Sequence, residues 1–310
     1  MIDLARPEIA SEEGIMKVAI AGATGLIGQA LLAALRADGN EVVALSRAEG
    51  TIGDIETTLW DPRTSALPEQ ACDGVDAFVN LAGVGIGDGR WNERHRTAIV
   101  GSRVLTTRRL VAATHTYGIA TLINASAIGF YGPGDDSVDE TSPPGSDFLA
   151  SVCVKWEDEA TKAGDSARVV LLRTGIVLSN DGGALPKLLV PARLGLGGPL
   201  GGGKQWQSWI HIADEVGLIL RALSDTSLSG PLNATAPNPV RQVEFAHTLG
   251  RVLGRPAVIP TPGLAVRLLL GKAGDIALTG QCVMPSAALR SGYEFEYPLL
   301  EPALRNLLDR

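Results

Sequence analysis

The spacing of three glycines constrains this chain more than any other feature. Residues 18–28 read Val-Ala-Ile-Ala-Gly-Ala-Thr-Gly-Leu-Ile-Gly: a short apolar run, then Gly22, Gly25 and Gly28, then a helical pattern. Lys17 to Ala21 has the composition of a strand buried on both faces. Ile27, Leu31, Leu32 and Leu35 repeat at helical spacing, Gly39-Asn40 is a stop signal, and Glu41 to Ser46 reads as a second strand. Together these segments form the complete opening of a βαβ unit.

A nucleotide diphosphate is the ligand that best explains this order. Gly22 lets the chain turn tightly on leaving the strand, Gly25 removes a side chain where backbone must approach phosphates, and Gly28 lets the helix pack closely. Thr24, Leu26 and Ile27 complete the loop, and the helix N-terminus offers free N–H groups and partial positive charge to a pyrophosphate. Glycine is common here, 37 of 310 residues, so the spacing alone is a weak signal. The strand–turn–helix–strand context strengthens it; an ordinary strand–helix corner is the plain alternative.

Length and charge bound the rest. A chain of 310 residues has ample length for one large domain or two interleaved ones. Its net charge of −7 argues against nucleic-acid or anionic-membrane surfaces. No apolar segment approaches the roughly 20 residues of a bilayer span; Arg173 and Arg267 interrupt the two most apolar regions. Cys72, Cys153 and Cys282 are few, odd in number and far apart, which suits a reducing cytoplasm without a disulfide framework. No His/Cys/Asp cluster has metal-ligand spacing. Residues 1–15 read as a loose extension, with a short ordered arm as the alternative. They lack the apolar core of a secretory signal.

The first half alternates strands (16–22, 41–46, 56–60, 75–81, 120–126, 167–173) with helices (25–38, 92–117, 147–164). That alternation predicts an α/β fold, a Rossmann-type doubly wound parallel sheet with a smaller C-terminal α/β substrate portion. The expected organisation is a dinucleotide-binding domain over 16–179 with 209–238 returning to it. The smaller portion then comprises 180–208 and 239–310. Residues 195–203 hold six glycines in nine positions, either a loop over a ligand or a plain linker. Helices are expected from Asp214 to Leu223, over 242–254, around 263–271 and over 299–309, with Leu232-Asn233-Ala234 as a strand.

The second strand selects the nucleotide. Sites of this type usually end that strand with an acid that binds the ribose 2′-OH. Here it ends Leu45-Ser46-Arg47. Arg47 can fork onto a 2′-phosphate and Ser46 can add a donor. These residues predict NADP(H) over NAD(H), against the alternative of a solvated surface arginine. Asp61 either reaches the adenine or starts the Asp61-Pro62 turn.

Several segments together resemble the extended short-chain dehydrogenase/reductase superfamily: Gly22-Ala-Thr-Gly25-Leu-Ile-Gly28, Asn80-Leu81-Ala82-Gly83, Ser126-Ala-Ile-Gly-Phe-Tyr131-Gly132 and Trp209-Ile210-His211-Ile212-Ala213-Asp214. More narrowly, Arg90-Trp91, Ser102-Arg103, Phe148-Leu149-Ala150, Val152-Cys153, Trp156-Glu157, Arg173-Thr-Gly-Ile-Val-Leu178 and Ala236-Pro-Asn-Pro-Val240 resemble its poorly characterised epimerase-family oxidoreductases. That group carries a small C-terminal domain of unknown function. The resemblance runs from residue 16 to the end. It implies that Leu81, Ala82 and Gly83 lie beside the cofactor.

The superfamily's chemistry uses a tyrosine for the proton, a lysine four residues later for the tyrosine's pKa and the nicotinamide ribose, and a serine for the reacting oxygen. Lys155 is present, but position 151 is Ser, which has no phenol-like pKa. The resemblance implies catalytic roles for Ser126 and Lys155. Tyr131, five residues beyond Ser126, is the best remaining tyrosine, with aromatic packing as its alternative. Cys153 reads as buried packing.

Arg90, Trp91 and His211 are substrate-side candidates. The competing readings are a surface arginine, a core tryptophan, and a capping or packed histidine; Asp214 reads as a helix cap. The chain is therefore expected to be a cytoplasmic NADP(H)-binding oxidoreductase or epimerase. Its substrate would be a small polar molecule such as a nucleotide sugar, with a homodimer as a possible assembly. The alternative is a non-catalytic NADP(H) sensor or scaffold.

Overall fold

A computed structural model describes residues 14–87, 91–270 and 273–308. Seven parallel strands form one sheet: β1 (Lys17–Ala21), β2 (Glu41–Ser46), β3 (Ile55–Leu59), β4 (Ala77–Asn80), β5 (Thr121–Ala127), β6 (Arg168–Thr174) and β7 (Gly230–Ala234). Their spatial order is β7-β6-β5-β4-β1-β2-β3, with the two-residue strand Thr51–Ile52 added antiparallel beyond β3. The order reverses between β1 and β4, and such a switch point is where doubly wound sheets bind ligands at their carboxyl edge.

The strands read as apolar runs because both faces are covered. Val18 and Ile20 pack to one side with Val79, Ile123, Val170 and Leu172. Ala19 and Ala21 pack to the other with Phe78, Leu122 and Leu171. On the first side lie α1 (Leu26–Ala37) and α5 (Ile212–Ser224); α2 (Glu93–Tyr117) and α3 (Phe148–Ala160) contribute to the second. Asn92 caps α2, its Oδ1 accepting from His95 N at 2.9 Å, and Gly118 closes that helix in the left-handed region at φ 70°. The helix expected over 147–164 ends earlier. Beyond Ala160 the chain tightens into 3-10 turns, broken at Gly164 (φ 55°).

The helix after His211 starts earlier than expected, at Ile212, and the His211 side chain caps it. Beyond β7 come α6 (Gln242–Leu253), α7 (Gly263–Leu270), α8 (Ala273–Ala277), α9 (Ser286–Arg290) and α10 (Leu300–Leu308), following α4 (Leu185–Arg193). This part folds back on the strand ends. Cys282–Val283 pairs with Ser137–Val138, and Gln281 Nε2 donates to the Ile128 carbonyl at 2.7 Å. Helix α10 lays Leu304 and Leu307 into the core shared with Phe245 and Leu249 of α6. No described helix is long and apolar enough to cross a membrane.

Candidate functional site

The glycine loop follows β1 across the carboxyl edge. Gly22 has φ 87°, and a Cβ there would stand 2.8 Å from the Leu81 carbonyl carbon. Two constraints therefore require glycine: the left-handed backbone, and the approach of Leu81-Ala82 from the end of β4. Gly28 is closed in by the Gly22 carbonyl and Ala23 backbone, so it seats the helix on its own loop. Gly25 is the N-cap of α1 and supplies no side-chain cap. The first helical amide with a backbone acceptor is that of Gln29, on Gly25 O at 2.9 Å. The amides of Leu26, Ile27 and Gly28 thus remain available at the positive end of the helix dipole, a ready anion site. Thr24 is exposed beside them.

At the end of β2, Arg47 is exposed and Ser46 is half-buried, its Oγ accepting from Ala48 N at 3.2 Å. The strand itself ends without a carboxylate, and the acid whose charge Arg47 meets is Asp61, just beyond β3. Asp61 also serves its own turn. Its carbonyl accepts from Thr64 and Ser65, and its carboxylate grips Arg63 at 2.6 Å, which holds it down at about 2. Of the two readings of Asp61, the turn is the one its contacts display. Asn80 is fully buried, bound to Thr107 and Asn124, and receives Ala82 N at 3.3 Å. Leu81 N donates to Ala21 O at 2.8 Å, so Leu81, Ala82 and Gly83 run alongside the glycine loop.

The hydroxyls at the end of β5 are engaged elsewhere. Ser126 is buried and donates to Glu157 Oε1 at 2.6 Å. Glu157, on the inward face of α3, is clasped by Arg173 Nε (2.8 Å) and Nη2 (2.7 Å). Arg173 Nη1 donates to the Tyr131 hydroxyl at 3.0 Å, and that hydroxyl donates to Asn233 Oδ1 at 2.7 Å. The Arg173 guanidinium also lies 3.5 Å above the Phe130 ring. Tyr131, considered above as a proton carrier, points its oxygen into this buried network, and burial raises its pKa.

One signal of the network was available in the sequence: an arginine inside the apolar run Val169-Val170-Leu171-Leu172 must find a carboxylate. The partner, 16 residues upstream on α3, carries no local mark.

Helix α3 separates two faces. Ser151 and Lys155 are exposed one turn apart, while Cys153, Trp156 and Glu157 point inward. Asp147 caps the helix through Ala150 N at 2.8 Å, and Ser151 Oγ returns to Phe148 O. The Cys153 thiol faces the Ala127 carbonyl, and burial pushes its pKa to about 11, so it is packing and no nucleophile.

On the substrate side, Trp91 donates to Ile86 O at 3.0 Å and meets Phe148 edge-on, with Arg96 4.1 Å above that ring. Arg90 lies outside the described residues. His211 is buried. Its Nδ1 accepts from Ala213 N, its ring stacks on Tyr297 at 3.9 Å, and burial lowers its pKa to about 4. In these contacts it caps the helix and packs on Tyr297.

The expectation that Asp214 caps the same helix is corrected. Its carboxylate accepts the amides of Glu296 (2.8 Å) and Tyr297 (2.9 Å), pinning the C-terminal segment, and burial raises it to about 6. Glu215 beside it is fully enclosed, receives Thr174 Oγ1 at 2.7 Å, and is pushed up to about 8.

This fold and loop define a dinucleotide-binding protein of the doubly wound class. The chain belongs to the NAD dependent epimerase/dehydratase family, whose profile matches residues 18–233, and a domain of unknown function matches residues 261–307. It is 40% identical over 306 residues to the Arabidopsis thaliana epimerase family protein SDR39U1 homolog, chloroplastic, covering 96% of this chain and 88% of that one.

Among solved structures, human epimerase family protein SDR39U1 (isoform2) with NADPH superposes with a TM-score of 0.88 at 38% identity. That match covers 95% of this chain and all of the human one. A Corynebacterium glutamicum nucleoside-diphosphate sugar epimerase gives 0.77 at 37% identity, over 95% of this chain and 58% of that one.

Proposed function

We propose that the chain binds NADP(H) and acts in the cytoplasm, singly or as a homodimer, as an oxidoreductase or epimerase-like enzyme on a small polar substrate. The observation that carries this reading is the uncapped α1 N-terminus above the glycine loop. It occurs together with Arg47 where an acid would select NAD(H), in a chain 38% identical to a protein crystallised with NADPH. The amides of Leu26, Ile27 and Gly28 hold the pyrophosphate, with Gly22, Thr24 and Gly25 shaping the loop. Ser46 and Arg47 take the 2′-phosphate, Leu81, Ala82 and Gly83 line the groove, and Lys155 binds the nicotinamide ribose.

NADP(H), when bound, supplies a hydride at its nicotinamide C4 or accepts one there. Ser126 and Tyr131 contribute by fixing Glu157 and Arg173 beneath the site. The proton then falls to water held near Lys155, since position 151 offers only a serine hydroxyl. Arg90 and Trp91 border the substrate, and the C. glutamicum relative makes a nucleotide sugar the first class to try. The test is NADPH consumption across carbonyl compounds and nucleotide sugars. Turnover that Lys155→Met reduces at least tenfold supports the enzyme.

The engaged hydroxyls of Ser126 and Tyr131 favour a second reading, a non-catalytic NADP(H) sensor. Tight NADPH binding with no turnover on the whole panel selects it.

A further inference from the structure

Arg103 is a half-buried cation that pairs with no carboxylate among the described residues. Helix α2 projects it between the carboxyl ends of β4 and β5. A Cβ on Gly83 would stand 3.0 Å from its Cζ, and the guanidinium lies 4.9 Å from the Trp156 ring centre. Its Nη1 donates to Val84 O (3.0 Å) and Ile99 O (3.1 Å). Its Nη2 and Nε have no acceptor among the described residues, and no carboxylate pairs with it there.

The titratable group whose field it feels is the Cys153 thiol, which burial keeps neutral. Burial without compensation lowers the guanidinium's own pKa. Two other arginines show what a fully used fork looks like. Arg173 clasps Glu157, and Arg168 spends Nη1 and Nη2 on Leu228 O, Thr121 Oγ1 and Leu223 O.

The loop over Arg103 is rich in glycine. Gly83, Gly85 and Gly87 alternate with Val84 and Ile86, and Ser102 Oγ fixes Val84 N at 3.0 Å. The Nζ of Lys187, from α4 across the cleft, comes within 3.9 Å of a Cβ position on Gly87, so a second cation reaches the same loop. In a chain of net charge −7, cations along this loop attract anions to it.

We infer that Arg103 is a specificity residue whose free N–H edge binds a carboxylate or phosphate group carried by the substrate. A planar fork with one edge anchored and the other open matches the two oxygens of such a group. The inference rests on the cofactor reading above and adds the charge of the substrate to it.

The test titrates NADPH-loaded protein with inorganic phosphate and, separately, malonate at constant ionic strength, by calorimetry. Loading fills the cofactor's own phosphate sites. The expected result is saturable binding of at least one probe, weakened about tenfold or more in Arg103→Gln and partly kept in Arg103→Lys, with NADPH affinity within about twofold of wild type. Absent saturable binding, or equal probe affinity in Arg103→Gln, overturns the inference. A matching loss of NADPH affinity also overturns it, by giving Arg103 to the cofactor.

Should Arg103→Gln fail to fold, Arg103→Met, which keeps the apolar stem and removes the charge, takes its place; unchanged probe affinity there is equally fatal. A wild-type protein that binds no NADPH defeats the cofactor reading instead, and the unloaded protein's phosphate titration then judges Arg103 separately.

Discussion

The two halves of the carboxyl edge treat polar groups in opposite ways. Around the glycine loop the backbone leaves its donors free: Leu26, Ile27 and Gly28 have no acceptor among the described residues, and Gly25 gives no side-chain cap. Around the ends of β5 and β6 the side chains of Ser126, Glu157, Arg173, Tyr131 and Asn233 are joined in one continuous hydrogen-bonded chain. Free donors bind ligands, whereas mutually satisfied ones hold a shape. On the function proposed above, the first half recognises an anionic cofactor and the second supports it.

The largest effect that can break this contrast lies in the closed half. Arg173→Met leaves Glu157 buried without its partner and is expected to cost about 3–5 kcal/mol of stability in urea unfolding. A cost near zero would mean that the network is solvated and available for chemistry. In the open half, Gly22→Val forces a branched side chain into φ 87° and against Leu81. It is expected to lower NADPH affinity at least about tenfold, with a fold cost of about 1–3 kcal/mol. Arg47→Asp tests the nucleotide choice. NADPH affinity is expected to drop about 10- to 100-fold while NADH affinity stays nearly level, the worth of a lost charge-assisted pair.

Ser126→Ala removes one hydrogen bond to Glu157 and is expected to cost about 0.5–1.5 kcal/mol in the same unfolding assay. A larger loss in turnover than in stability returns Ser126 to the reacting oxygen.

Independent of these substitutions is a slope with pH. Burial raises Glu215 to about 8 and Asp214 to about 6, both above their unfolded values. The native state therefore holds more protons than the unfolded one between about pH 4 and 8, and stability falls as pH rises through that window. His211, lowered to about 4, works the other way between pH 4 and 6.5. Glu215→Gln is expected to flatten the decline above pH 6.5 in thermal melts.

How much of this was legible depended on the distance between partners along the chain. Strand and helix positions follow local periodicity, so β1, α1 and β2 stand where Val18 to Ser46 predict them. The spacing of the glycine loop is equally local, although part of the constraint on Gly22 comes from Leu81-Ala82 at the end of β4. His211 as a cap was readable because it sits directly before the helix. Asp214 misled because acids in a first turn usually serve that turn; here its acceptor oxygens meet amides 82 and 83 residues later. Tyr131 and Asn233, 102 residues apart, had no shared signal, and neither did the open edge of Arg103.

The most direct measurement is calorimetric titration of the purified protein with NADPH and, in parallel, NADH. Saturable NADPH binding that outcompetes NADH at least tenfold is the result this account predicts. Binding of neither coenzyme, or a preference for NADH, contradicts it.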